Sequence, residues 1–237
     1  IVICANFIKL LLPKDNSFFS VFHEDIFHWI TMYGVFVLIL QNCLVSKISR
    51  YKLLAARIQQ LFDCSLFQLN WDKALCGEKP QPEDISRNLG KEDVNKLYDW
   101  YSLEINPLNQ EKSTLVCMRS NVYYDYRIRQ LYTNCMVFLI GLIMLLLLVF
   151  FGIQNTNLWD IVTMGIVPLL PAAKWLYDVH RQNTTNLKSL ANIKSLLNSA
   201  LDKAGRKEPV ALSDLEQIQN FIFLHRKTSF MIPAWVY

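Results

Sequence analysis

Glycine and proline are scarce, at 7 and 8 among 237 residues. That scarcity excludes collagenous and low-complexity architecture and favours long, seldom interrupted helices. Charge is scarce too: 19% of residues are charged, where soluble domains carry roughly a quarter, and 52% are hydrophobic. The basic excess is small, 24 Lys and Arg against 20 Asp and Glu, for a formal net charge of +4. This excludes a disordered polyelectrolyte and argues against a partner such as duplex DNA or RNA. Catalytic signatures are missing as well, with no GxSxG, P-loop, HExxH or GxGxxG. The four histidines, His23, His28, His180 and His225, stand beside no nucleophile. No CxxC pair occurs among Cys4, Cys43, Cys64, Cys76, Cys117 and Cys135. They read as buried thiols of a reducing compartment, with no metal site and no cofactor, and an enzyme is not expected.

What the chain does contain is apolar runs. Met136 to Ile153, MVFLIGLIMLLLLVFFGI, carries no charge and is long enough for the roughly 30 Å hydrocarbon core of a bilayer. Phe27 to Val45 is a second such run, with Trp29 and Tyr33 near one end, where interfacial aromatics belong. Trp159 to Tyr177 reads as a kinked third, flanked by Asp160 and Lys174 and interrupted by Pro168 and Pro171. IVICANFIKLLLP at residues 1–13 reads as the tail of a truncated span. The expectation is four spans, the first partial. Lys and Arg crowd residues 46–133 and the tail after Tyr177, which makes both cytoplasmic by the positive-inside rule.

The predicted fold is a mainly α membrane protein. Residues 1–45 hold spans one and two, 46–133 a cytoplasmic sensing module, 134–177 spans three and four, and 178–237 a cytoplasmic helical tail. Ile48, Tyr51, Leu54, Ala55, Ile58, Leu61 and Phe62 recur at three- and four-residue steps and predict an amphipathic extension of span two. Asp63 to Trp71 reads as β-like or extended, which makes the module small and mixed α/β. A short helix is expected from Pro82 and a long one from Asn109 to Asn134 running on into span three. Leu176, Val179, Asn183, Leu187, Leu190, Asn192, Leu197 and Leu201 suggest a heptad-like seam ending near Gly205. Ser213 with Glu216 is a capping-box signal for a last helix through about Lys227.

Three segments carry a family resemblance: IQQLFDCSLFQLNW at Ile58–Trp71, CMRSNVYYDYRIRQLY at Cys117–Tyr132, and HRKTSFMIPAWVY at His225–Tyr237. In this order, with two spans before and two between, they resemble the SMODS-associating four-transmembrane effectors of prokaryotic antiphage systems. The resemblance implies an inner-membrane effector that oligomerises and permeabilises the bilayer on sensing a cyclic oligonucleotide. A membrane-anchored sensor or interaction module without a pore is the alternative.

The residues themselves offer two constellations. Asn121, Asp125 and Arg129 lie four residues apart on one helix face beside Arg119 and Tyr124. Asp125 with Arg129 is an intrahelical ion pair on the plain reading. On the functional reading Arg119 or Arg129 meets phosphate while Tyr123, Tyr124 or Tyr126 stacks a base. The second constellation is His225, Arg226 and Lys227 followed by Trp235. It reads as dipole-complementing surface charge, while the family resemblance implies a terminus that docks back on the loop module, with Trp235 as anchor. Arg119, Asn121, Tyr124, Asp125, Arg129, Arg226 and Trp235 are the candidate ligand-binding residues. Thr163, Gly165, Pro168 and Pro171 make span four the helix most able to bend and mark a place for gating. Asp160 and Lys174 are edge charges of the kind that face a pore, a partner or the interface.

Overall fold

The computed structural model describes residues 17–87, 101, 108–153 and 167–232. Six helices occupy them: α1 (Ser17–Phe67), α2 (Lys73–Cys76), α3 (Pro82–Arg87), α4 (Gln110–Ile153), α5 (Val167–Gly205) and α6 (Leu212–Thr228). The chain divides into two compact units, Ile1–Ser49 with Cys135–His180 and Arg50–Asn134 with Arg181–Tyr237.

Among the described residues there is no strand, which corrects the extended reading of Asp63–Trp71 on which the mixed α/β module rested. The extended reading of Asp63–Trp71 fails because α1 continues to Phe67 and stops by backbone geometry. Gln68 takes a left-handed φ of 57°, and the Leu69 N–H bonds back to the Cys64 carbonyl at 2.9 Å. This is a Schellman closure, in which the residue after the left-handed one folds over the last turn, and Leu69 is buried there as its apolar partner. The end of α5 repeats the device: Lys207 has φ 61°, and Glu208 N–H reaches Lys203 O at 3.1 Å.

Helix starts follow ordinary capping chemistry at α2, where Asp72 Oδ1 accepts from Leu75 N–H at 3.0 Å, and at α3 and α4, and depart from it at α6. Asn109 caps α4, its Oδ1 accepting from Lys112 N–H at 3.3 Å. Pro82 opens α3, where its missing N–H costs nothing, and Glu83 and Asp84 complement the positive helix end. The Ser213 capping box is not formed: Ala211 is the cap residue of α6, without a side-chain bond. Glu216 instead accepts from the backbone and side-chain nitrogens of Asn70 at 3.2 and 2.7 Å.

One segment among the described residues, Gln110–Leu146 of α4, qualifies by length and composition to cross a membrane. Its apolar stretch is the third expected span. The partial first span and residues 154–166, with Asp160, Thr163 and Gly165, lie outside the described residues. Phe27–Val45 is helical throughout as part of α1. As described, α5 begins at Val167, which puts Pro168 and Pro171 at its start. Lys174 pairs with Asp178 at 3.2 Å on the exposed surface.

The second unit has a conventional core. One cluster joins Cys64 and Phe67 of α1, Leu115, Met118 and Val122 of α4, Leu190, Ile193 and Leu197 of α5, and Leu215, Ile218 and Ile222 of α6. In this unit the buried positions of α5 are Asn183, Asn186, Leu190, Ile193, Leu197, Ala200 and Ala204. They alternate three- and four-residue steps without a break, the spacing that keeps a helical seam facing its neighbours. Asn192, which the sequence reading placed in the seam, is exposed. The face of α1 is also corrected. Ala56, Gln60, Asp63, Cys64 and Phe67 are buried, while Ile48, Tyr51, Ala55 and Phe62 point outward.

Candidate functional site

Polar side chains at the α1–α6 and α4–α6 contacts of the second unit form two linked groups. Asp63 is buried on α1, and two donors from α6 reach its Oδ2: Arg226 Nη1 at 2.6 Å and Gln219 Nε2 at 2.9 Å. Gln219 Nε2 also donates to Gln60 Oε1 at 2.9 Å. A buried carboxylate is tolerated only with such partners, because removal from water disfavours its charge.

The other group centres on Asp125 of α4. Arg129 Nε lies 3.0 Å from its Oδ1, and His225 Nε2 lies 2.9 Å from its Oδ2. Burial pushes the Asp125 carboxyl up, but the His225 hydrogen bond and the Arg129 charge outweigh it and hold the group below the usual carboxylate range. An ionised carboxylate only accepts, so His225 Nε2 carries the shared proton. Arg129 is buried and has further partners: Nη1 donates to the Phe230 carbonyl at 3.0 Å and lies 3.5 Å from Asn183 Oδ1. Asn183 returns a bond from Nδ2 to Arg129 O at 2.9 Å. Lys52 donates to Thr228 O at 3.2 Å, and burial, then the Arg129 charge, holds its ammonium below the lysine range.

These contacts place the sequence candidates. Asp125 and Arg129 form the intrahelical ion pair, extended by His225 into a tertiary one. Arg226 docks α6 on α1, so the basic run is not simply solvated surface; only Lys227 is exposed. Asn121 Nδ2 donates to the Tyr101 hydroxyl at 2.8 Å. Arg119 and Tyr124 are exposed. Trp235 lies outside the described residues.

One member of the basic–aromatic surface was not legible in sequence. The ammonium of Lys194, on α5, sits 5.4 Å from the Tyr123 ring centre and 5.6 Å from that of Tyr126, within cation–π range. Arg119 precedes Tyr123 by four residues on α4, and Arg127 follows it by four. Helical spacing therefore lines Arg119, Tyr123 and Arg127 along one face, with Lys194 across the α4–α5 contact. Cations beside aromatic faces are the chemistry that holds phosphate and an unstacked base. No signal in the α5 sequence ties Lys194 to this surface, because the pairing spans about 70 residues and depends on the α5 seam register.

The free cysteines among the described residues are Cys64, Cys76, Cys117 and Cys135. Burial, followed by the Asp72 charge, pushes Cys76 up to about 11, which keeps it a neutral thiol. Around it the chain turns tightly. Arg57 Nε donates to Cys76 O at 2.7 Å and Trp71 Nε1 to Gly77 O at 2.8 Å. Gly77 has φ 73°, and a β-carbon there would collide with the Arg57 guanidinium.

Comparison with known proteins bears on what this arrangement is for. A probable CBASS effector molecule of Bacillus cereus (strain VD146) is 26% identical over 188 residues, 77% of this chain and 62% of its own length. The chain thus spans less than two thirds of that relative. No solved structure matches the chain. The family model for the SMODS-associating 4TM effector domain matches residues 2–237. The three segments and their order are therefore those of a known family: this chain belongs to the SMODS-associating 4TM effector domain family.

Proposed function

We propose that this effector lies in the cytoplasmic membrane with its second unit in the cytosol, binds a cyclic oligonucleotide there, and permeabilises the bilayer as a homo-oligomer. It acts by binding rather than by catalysis. The observation that carries the reading is the Lys194–Tyr123–Tyr126 surface with Arg119 and Arg127 beside it. Arg129, Asp125 and Arg226 serve instead to hold α6 in place, which leaves the exposed cations for phosphate. Helix α4 supplies both this surface and the apolar stretch without a break in its backbone. A ligand that favours one state of α4 in the second unit thus shifts an equilibrium in a helix that also enters the bilayer. Four narrow helices enclose no wide lumen, so a pore needs several copies.

The test is dye release from liposomes bearing the full-length protein, scanned against cyclic di- and trinucleotides. Release with one of them, lost in Lys194→Ala and Arg119→Ala but kept in Lys227→Ala, is the expected pattern. Binding of a nucleotide by calorimetry without release would support the sensor alone, and release unaffected by Lys194→Ala and Arg119→Ala would remove this surface from the reading.

A further inference from the structure

From Tyr51 to Leu66 the outward face of α1 in the second unit is apolar where a solvated helix carries charge. Tyr51, Ala55, Phe62 and Leu66 are exposed, Tyr51 by 62% and Phe62 by 59%, with Ile58 half-buried between them. The other exposed side chains in this stretch, Gln59 and Ser65, carry no charge either. Its three charged residues all turn to partners inside the unit. Lys52 bonds Thr228 O, Arg57 bonds Cys76 O, and Asp63 pairs with Arg226. Water is a poor partner for such a face, and a contiguous exposed apolar patch marks an interaction surface.

We propose that this face pairs with the same face of a second copy of the chain, as a short parallel two-stranded coiled coil. Three features of the row select that occupant. Tyr51, Ala55, Ile58 and Phe62 step by four, three and four residues, the repeat that lets one helix seam meet another along its length. Under a two-fold axis each layer meets itself, and Ala55, small between Tyr51 and Phe62, lets the helices approach there. The seam is also free of charge, so self-pairing brings no like charges together and a charged partner finds nothing to match. A bilayer surface would instead favour exposed cations along the whole row. Lys52 and Arg57 beside it bond inward, and the exposed cations, Lys47 and Arg50, stand only before its N-terminal end. Parallel direction rests on the membrane-effector reading above, since copies inserted alike in one bilayer share a helix direction.

The experiment uses full-length protein in isolated membranes with Cys4, Cys43 and Cys135 replaced by Ser. Oxidised with copper phenanthroline, Ala55→Cys is expected to form a disulfide-linked dimer at least about tenfold more efficiently than Ala191→Cys, because only facing β-carbons reach bonding distance. Ala191 is an exposed position on α5. Adding Phe62→Lys should abolish the link while circular dichroism shows the helices retained, since Phe62 makes little contact within the chain. Equal linking at the two positions, or linking that persists with Phe62→Lys, overturns the proposal. So does labelling of Ala55→Cys by a bilayer-dissolved thiol reagent in place of linking, which would assign the face to lipid. Dye release measured on the same samples separates the two readings. Linking without release under any nucleotide keeps the interface and removes the pore; release without linking removes the interface alone.

Discussion

Along α4 the exposed side chains change character within two turns. In the second unit they include Arg119, Ser120, Tyr123, Tyr124, Arg127 and Gln130, and in the first they include Val137, Phe138, Leu139, Met144, Leu145 and Leu146. Phe138 is 72% exposed. What is buried changes too, since the second unit encloses Gln60, Asp63, Arg129, Asn183, Gln219 and His225. One helix thus presents a water-facing surface at one end and a hydrocarbon-compatible surface at the other. Its backbone hydrogen bonds are satisfied internally in both settings, so side chains alone decide which solvent each end suits.

The comparison breaks most directly at Asp63. Arg226→Ala leaves a buried carboxylate with Gln219 as its remaining donor, and the expected loss is about 3–5 kcal/mol of stability in the second unit. Leu145→Ala, on the exposed apolar surface of the first unit, should change stability by under about 0.5 kcal/mol. Denaturant unfolding of the detergent-solubilised protein measures both, and similar losses would mean that the units do not differ as described.

Asp125 gives a second, pH-dependent contrast. Asp125→Asn removes a charge-assisted hydrogen bond to His225 and the Arg129 ion pair, an expected cost of about 1.5–3 kcal/mol at neutral pH. The folded carboxyl is held below its ordinary range. Its stabilisation is therefore complete above the unfolded value, near 4, and is lost as pH falls through the lower folded value. The gap in melting temperature between wild type and variant should close on acidification below about pH 4. A gap that stays constant would show that Asp125 acts by packing alone.

Smaller effects sharpen the picture of how the second unit is closed locally. Gly77→Ala forces a β-carbon into a backbone with φ 73° and ψ −158°, a region that only glycine adopts readily, and against Arg57, and should cost about 1–3 kcal/mol from the backbone conformation alone. Chemical denaturation reads it, and Gly141→Ala, in a helix with no neighbour near the added β-carbon, should be neutral or slightly stabilising. Asn109→Ala removes the cap of α4 and should cost about 1 kcal/mol, visible as faster amide exchange in the first turn. Unchanged exchange would move the start of the helix away from Asn109.

The sequence reading found α4 whole, from Asn109 into the apolar run, because nothing in those residues breaks a helix and the polar-to-apolar change along it is unmistakable. It also found the end of α5 and the extent of α6 to within a few residues. It missed the last turn of α1, since Gln68 closes that helix in a conformation usually taken by glycine, and no residue there announces a stop. It chose the wrong face of α1 for a related reason. Periodicity marks an apolar row, Tyr51 to Phe62, but cannot say whether that row is covered within the chain. Among the candidate binding residues, the Asp125–Arg129 spacing held both an ion-pair reading and a phosphate reading, and helical geometry alone could not choose.

Sequence by itself determined the helical class, the apolar stretch of α4 and the family, because these follow from composition, local periodicity and the order of segments. Tertiary structure decided which charges are spent. Asp63 meets Arg226 across 163 residues, and His225 meets Asp125 across 100. Each pairing turns a charge inward that local pattern would assign to solvent. A buried charge must find its partner wherever the fold brings one, so inward and outward faces were settled only when α6 packed against α1 and α4.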